Sequence, residues 1–408
     1  MTIKIIFNYD RIHKYMELML DDAINNKNNI YINAFNFDIN FNKKIKNKMI
    51  KLLETNHIYM ITSGVNKYDI IINHKNFHIK NKLQIGEKYD DMILKIKNIF
   101  SNIGCDHIFV NHMKYFYNGK YLLLSGTNCS NRYMGNCIKK NDDNFCWYDN
   151  ALLSYNDTLE SLFNNIYNNI HRNTIRNINY KQLNLIITLS NSHQYTYIIK
   201  NILNSKKSIY IENQYFFSCD NYTNNKVYKA LAYRINKAII NNEEFSLKII
   251  TNYYNHDEST IIQFILHQIL QFSLYNFRKL INYSDEIFNK YVTVWIPNTN
   301  LVVHSKIFCF DNNKMLYTSC NIIDRSFYNN GDIEAGLIIE DSKNVISLMN
   351  CINNNFISIK HLFKLYDFKY NIFTHIKIYV CIILYNILYI FNNNILYITG
   401  IKLPIKLT

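Results

Sequence analysis

The stretch "VVHSKIFCFDNNKMLYTSCN", residues 302–321, decides how the chain is read. With a two-residue period it is a β-strand that puts His304, Lys306, Phe308 and Phe310 on one face. A core strand has little use for a lysine there. Asp311 follows just past the strand, with Ser319 and Asn321 a few residues on.

An earlier stretch repeats this arrangement. "NHMKYFYNGKYLLLSGTNCSNR", residues 111–132, parallels "VHSKIFCFDNNKMLYTSCNIIDR", residues 303–325. The copies align on a His (His112, His304) and on a Lys two residues later (Lys114, Lys306). They align again on an Asn further along (Asn128, Asn321) and on an Arg beyond it (Arg132, Arg325). Chance rarely repeats four polar positions in order. A second pair, "NNIYINAFNF" (28–37) and "KSIYIENQYF" (207–216), reads as a buried strand in each copy.

Two related halves follow, residues 1–175 and 176–365, with a tail over 366–408. "RIHKYMELMLDDAINN" and "NNKVYKALAYRINKAIINN" have helical apolar spacing, whereas "SLKIITNY" and "YVTVWIP" read as strands. Such alternation predicts an α/β protein: two pseudo-symmetric halves, each a mixed β-sheet flanked by helices. The second half has a longer interval before its His-Lys strand, and "STIIQFILHQILQFSLYNFRKLI" predicts an inserted helix there.

Composition adds less. Only 2 Pro and 9 Gly, with heavy Asn, Ile, Lys and Tyr usage, reflect AT-rich coding more than a structural class. The net charge of +14 suits a phosphate-bearing partner, though dispersed runs such as "NKKIKNKMIK" equally describe a solvated surface. Nine cysteines without a C-x-x-C pair predict neither a zinc site nor a disulfide framework, and place the chain in a reducing, cytosolic setting. The amino terminus lacks the pattern of a secretory signal. Residues 378–401 carry no charge and are long enough to span a bilayer, yet Asn386 and the asparagines at 392–394 would be costly in hydrocarbon. A span, an interfacial segment, a buried terminal element and a tail outside the fold all remain open.

A histidine serves as nucleophile or general acid near neutral pH, a lysine beside it supplies positive charge, and Asn or Ser donates hydrogen bonds. That set suits a phosphate. Two copies packed about a pseudo-twofold axis would bring two histidines to one phosphorus, with no metal or cofactor required.

His304, Lys306 and Asp311, spaced H-x-K-x-x-x-x-D and followed by "TSCN" and "DRS", resemble the signature of the phospholipase D superfamily. "IYIENQYF" and "NIIDRSFYNNGDIEAGLIIED" resemble segments of eukaryotic-type members. The resemblance implies an active site between the halves and a covalent phosphohistidine. It makes His112 the nucleophile and His304 the acid, with Lys114, Lys306, Asn128 and Asn321 binding phosphate. It also implies that Glu334 orients His304. Asp149 in "CWYDNALL" is a candidate for the same part after His112, and Asp311 reads as holding the loop after its strand. In the first copy Asn118 stands near the expected Asp and "SGTN" replaces the usual order, which predicts either a looser loop or a weaker half. Glu212 and Gln214 line the site or end a strand; Cys320 is a packing residue; His107, His256 and His267 join no constellation.

Three functions fit. The first is a phospholipase acting on glycerophospholipid headgroups at a membrane surface. The second is a metal-independent nuclease, for which the basic charge suits a polyanion. The third is a weakly active membrane or envelope assembly protein at host membranes or a virion envelope, since poxviruses carry proteins resembling this family and an insect poxvirus genome would give this composition. Oligomeric state is unconstrained.

Overall fold

The computed structural model describes residues 3–7, 9–37, 42–65, 73–81, 83–85, 108–126, 146–170, 178–182, 185–220, 223–253, 261–297, 301–327, 332–358, 362–366, 368 and 380. The boundary expected at 175/176 lies outside them, as does nearly all of the tail, including the uncharged run apart from Val380. Among the described residues no helix is long and apolar enough to cross a membrane.

The first part of the chain runs β1 (Ile3–Phe7), α1 (Tyr9–Asn26), β2 (Ile30–Phe37), α2 (Lys43–Leu53), β3 (Ile58–Val65), β4 (Phe77–Asn81), β5 (Leu83–Ile85), β6 (Ile108–Val110), β7 (Tyr115–Tyr117), β8 (Tyr121–Ser125), β9 (Cys146–Tyr148), β10 (Asn150–Tyr155) and α3 (Glu160–Asn169). The second runs β11 (Asn179–Gln182), β12 (Leu185–Thr188), α4 (Asn191–Asn204), β13 (Ser208–Asn213), α5 (Val227–Ile240), β14 (Ser246–Thr251), α6 (Ile261–Leu280), α7 (Asp285–Tyr291), β15 (Val292–Pro297), β16 (Leu301–Val303), β17 (Ile307–Phe310), β18 (Lys314–Thr318), α8 (Asp324–Phe327), β19 (Gly336–Ile339), α9 (Ser342–Ser358) and β20 (Leu362–Lys364). Local signals start several helices. Asn42 Oδ1 accepts from the amides of Lys44 and Ile45 at the head of α2, and Ser190 Oγ accepts from His193 N at the head of α4. The inserted helix expected in the second half is α6.

The sheets repeat one plan. The first has the order β1-β10-β8-β7-β2-β3-β4, and the second contains β12-β19-β18-β17-β13-β14-β15 in the same sense, flanked by β11 and β20. In each, three parallel strands (β2-β3-β4, β13-β14-β15) adjoin an antiparallel meander. Alternation sorts the side chains into layers. Ile30 and Ile32 pack under α1 and α2; Ile209 and Ile211 pack under α4 to α6. Tyr31 and Tyr210, one residue out of phase, face a core to which both sheets, α3 and α9 contribute. Burying one large apolar side chain is worth about 1.5–3 kcal/mol, so this shared core ties the halves firmly.

One strand differs from expectation. The run 301–310 is not continuous: β16 ends at Val303, β17 begins at Ile307, and His304, Ser305 and Lys306 lie between. The cause is a change of partner. β16 pairs in parallel with β9 of the first half, whereas β17 pairs with β13 and β18 of its own sheet. Phe308 and Phe310 do share a face, toward the outer helices.

Candidate active site between the halves

The same crossing occurs twice. Residue Asn111 bridges Ile333 in parallel, and His112 N–H donates to Ile333 O at 2.9 Å. Correspondingly, Val303 pairs with Tyr148, and His304 N–H donates to Tyr148 O at 2.8 Å. Each histidine is thereby fixed against the residue preceding a carboxylate of the opposite half. His112 Nδ1 lies 3.0 Å from Glu334 Oε2 and 3.2 Å from Oε1. His304 Nδ1 lies 2.7 Å from Asp149 Oδ2.

The two carboxylates are therefore exchanged relative to the sequence reading, which gave Glu334 to His304 and Asp149 to His112. Proximity along the chain misleads because the parallel crossings carry each carboxylate over the interface. Such a partner fixes the imidazole tautomer and raises its basicity.

The lysines complete the cluster. Lys114 and Lys306 are 2% and 1% exposed. Lys114 Nζ donates to His112 O at 2.8 Å; Lys306 Nζ donates to His304 O and, at 3.2 Å, to Gln214 Oε1. An ammonium carries three donors, of which the carbonyl takes one. Burial pulls Lys114 down to about 8, against the attraction of Glu334, Asp149 and Asp332. Burial likewise pulls Lys306 down to about 7, with Asp149 opposing and Lys114 assisting. His304 is held well below its ordinary value by burial, then by Lys306, Lys114 and His112. The two histidines and two lysines thus share one electrostatic environment.

The two pairs are not equivalent. Burial raises the Asp149 carboxyl to about 7, with Lys306 and the Asn150 amide opposing. Glu334 is equally buried, yet His112, Lys114 and Ser319 outweigh that burial and hold it below the ordinary range. Ser319 Oγ donates to Glu334 Oε2 at 2.5 Å and Ser326 Oγ to Oε1 at 2.6 Å. At the position matching Ser319, the first half has Gly126, where a Cβ would fall 2.4 Å from Asp149 Oδ1. The glycine makes room for the carboxylate and offers it no hydroxyl.

The remaining expected residues divide. Asn321 is buried, its N–H donating to Ser326 Oγ at 3.3 Å. Asn128 and Arg132 lie outside the described residues, as do His107 and His256; His267 is in α6. Asp311 stands away from the histidines: its carboxylate accepts from the amides of Lys206, Lys207 and Ser208 at 2.7–3.0 Å, pinning the entry to β13. Asn118 pins α1 in the first half. Its Nδ2 donates to Met19 O and Asp22 Oδ2, both at 3.0 Å, while Oδ1 accepts from the amides of Lys120 and Tyr121. The turn lacking an aspartate is therefore firmly held. Gln214 touches Lys306, whereas Glu212 lies buried within β13. Cys320 is buried against Gln194 Oε1 and Ser326 O, and burial raises its thiol well above the usual range, as suits packing. Sequence reasoning missed Ser305, Ser326 and Gly126. Ser326 stood in "DRS", and the Gly-for-Ser exchange was visible in the repeat, but neither reveals which carboxylate it meets.

No family model matches the chain. Phospholipase D1 of Rattus norvegicus is 32% identical over 38% of this chain, and phospholipase D C of Dictyostelium discoideum 29% identical over 40%. The matched parts are 16% and 11% of those proteins, so the chain corresponds to a small part of each. Among solved structures, phosphatidylserine synthase of Haemophilus influenzae superposes with a TM-score of 0.61 at 15% identity, over 90% of this chain and 88% of that one. Polyphosphate kinase of Porphyromonas gingivalis gives 0.52 at 11% identity, over 89% of this chain and 48% of that one. The fold is thus α/β with two similar halves, shared with these solved structures, and part of the sequence is similar to phospholipases D.

Proposed function

We propose that the protein is a phospholipase D-type phosphodiesterase that hydrolyses or transfers phosphatidyl groups through a phosphohistidine intermediate. The observation that carries this reading is the pair of crossed carboxylate–histidine contacts, His112–Glu334 and His304–Asp149, beside two buried lysines. With Nδ1–H given to Glu334, neutral His112 keeps its lone pair on Nε2. That pair attacks phosphorus as the P–O bond to the leaving alcohol breaks, and His304 delivers a proton to the departing oxygen. Water or a second alcohol then gives its proton to His304 and attacks phosphorus. The P–N bond breaks and His112 is restored. Lys114 and Lys306 offset the charge on the non-bridging oxygens, to which Asn321 and Asn128 add donors. A bound phosphodiester anion also favours protonated His304, reversing part of the depression that the lysines impose.

The test is incubation of the full chain with labelled phosphatidylcholine and a primary alcohol. The expected product is the phosphatidyl alcohol, absent with Lys306→Met. Acid quenching should trap a phosphoenzyme in His304→Ala and none in His112→Ala. Cleavage of single-stranded DNA instead of lipid would favour the nuclease reading. Vesicle flotation with no turnover on either substrate would favour the assembly role.

A further inference from the structure

We infer that Glu212 is a positioning residue that holds the Asp149–His304 pair from both sides, as Ser319 and Ser326 hold Glu334 against His112. Glu212 lies in β13 and is fully buried. Its Oε1 accepts from the Tyr210 hydroxyl and, at 3.5 Å, from that of Tyr148; Oε2 accepts from the Ser305 hydroxyl and, at 3.4 Å, from Asn150 Nδ2. The placement of these donors is specific. Tyr148 and Asn150 are the two neighbours of Asp149 in the first half, and Ser305 stands between His304 and Lys306 in the second. One carboxylate thus fastens both strands that bring Asp149 and His304 together.

Four donors on two oxygens suit an ionised carboxylate, which only accepts. Burial works against that ionisation, raising Glu212, while the hydrogen bonds from Ser305 and Tyr210 and then the Lys248 ammonium of β14 oppose the rise. Lys248 is itself lowered to about 8 by burial, against the attraction of Glu212.

The duplicated half supplies an internal comparison. Asn33 stands at the position of Glu212 and Met113 at that of Ser305, so the acid and the hydroxyl it would hold are absent together. Asn33 Oδ1 instead accepts from Asn111 Nδ2 at 2.6 Å. Conversely, the second half has Ser319 where the first has Gly126. Each carboxylate–histidine pair is therefore fastened by its own device: two hydroxyls for Glu334–His112, a buried carboxylate for Asp149–His304.

This deepens the phosphodiesterase reading and rests on it for its kinetic half alone. The test compares wild type, Glu212→Gln, Ser305→Ala and Ser305→Thr as full-length protein with nitrogen-15 histidine. In Glu212→Gln and Ser305→Ala, the His304 ring resonances and their pH titration should move while those of His112 stay in place, and Ser305→Thr, which keeps the hydroxyl, should restore them. On phosphatidylcholine kcat should fall by about 10–100-fold in the first two variants with KM changed less than about twofold. Folded variants with unmoved His304 signals, or with His112 and His304 displaced alike, would overturn the inference. Should Glu212→Gln not fold, the serine variants decide alone. A wild type without turnover would sink the phosphodiesterase reading, and the resonances would still decide the role of Glu212.

Discussion

At the scale of single residues, Gly126 and Ser319 show how one side chain separates two otherwise equivalent places. A methyl group at Gly126 would press on Asp149 Oδ1, so Gly126→Ala should displace the carboxylate from His304. A shift of about 1 Å near reacting groups costs about a hundredfold in rate, and we expect that loss in kcat with unchanged secondary structure by circular dichroism. The unequal environments also shape stability. Unfolded, Asp149 loses its proton near about 3.9; folded, burial keeps it up to about 7. Between these values the folded chain holds a proton the unfolded chain has lost, so the contribution of Asp149 to stability falls as pH rises from about 4 to about 7, and levels above. Glu334, held low when folded, contributes the opposite sign: its stabilisation is present above its unfolded pKa and fades in acid. Urea titrations of wild type and Asp149→Asn across pH should therefore differ by a term that falls with pH over this range, with a slope of up to about 1.4 kcal/mol per pH unit; pH-independent stability differences would contradict it.

At the scale of elements, the turns after β7 and β17 serve as clamps. Asp311 adopts φ of +53° and gathers three amides; Ala there would strain the backbone and release them to water, for a loss of about 2 kcal/mol in urea unfolding. Asn118→Ala should cost as much or more, because Asn118 is fully buried and its partners are not all reachable by water. The pairing of His and Lys in two copies was legible in the sequence because a repeat preserves order, and the paired "IYI" strands were legible because apolar runs of that length are buried. The break at residues 304–306 was not. Val302 and Val303 before it and Ile307 after it are apolar alike, and periodicity cannot tell one strand from two that pair with different neighbours. The exchange of Glu334 and Asp149 was hidden for the same reason: the interface chooses the partner, and spacing along the chain carries no trace of it. Glu212 was visible as a residue but not as a fastening, since its donors come from positions 148, 150, 210 and 305.

At the scale of the whole molecule, the shared core and the crossed pairs make the two halves interdependent. Double-substitution cycles in urea should therefore find coupling where the chain is distant. His112→Ala with Glu334→Gln should deviate from additivity by about 0.5–3 kcal/mol, although 222 positions separate them. His112→Ala with Asp149→Asn should add more nearly. Residues of both sheets fill the shared core, so unfolding followed by near-ultraviolet circular dichroism and by tryptophan fluorescence should give one coincident transition.

The crossing of Glu334 to His112 also has a consequence during synthesis. A ribosome makes His112 long before Glu334, and until the later residue emerges and the second lobe closes, the imidazole has no anion to set its proton. On the proposed mechanism, the nascent polypeptide would lack the carboxylate that orients His112, and reactivity would begin only once translation has delivered Glu334.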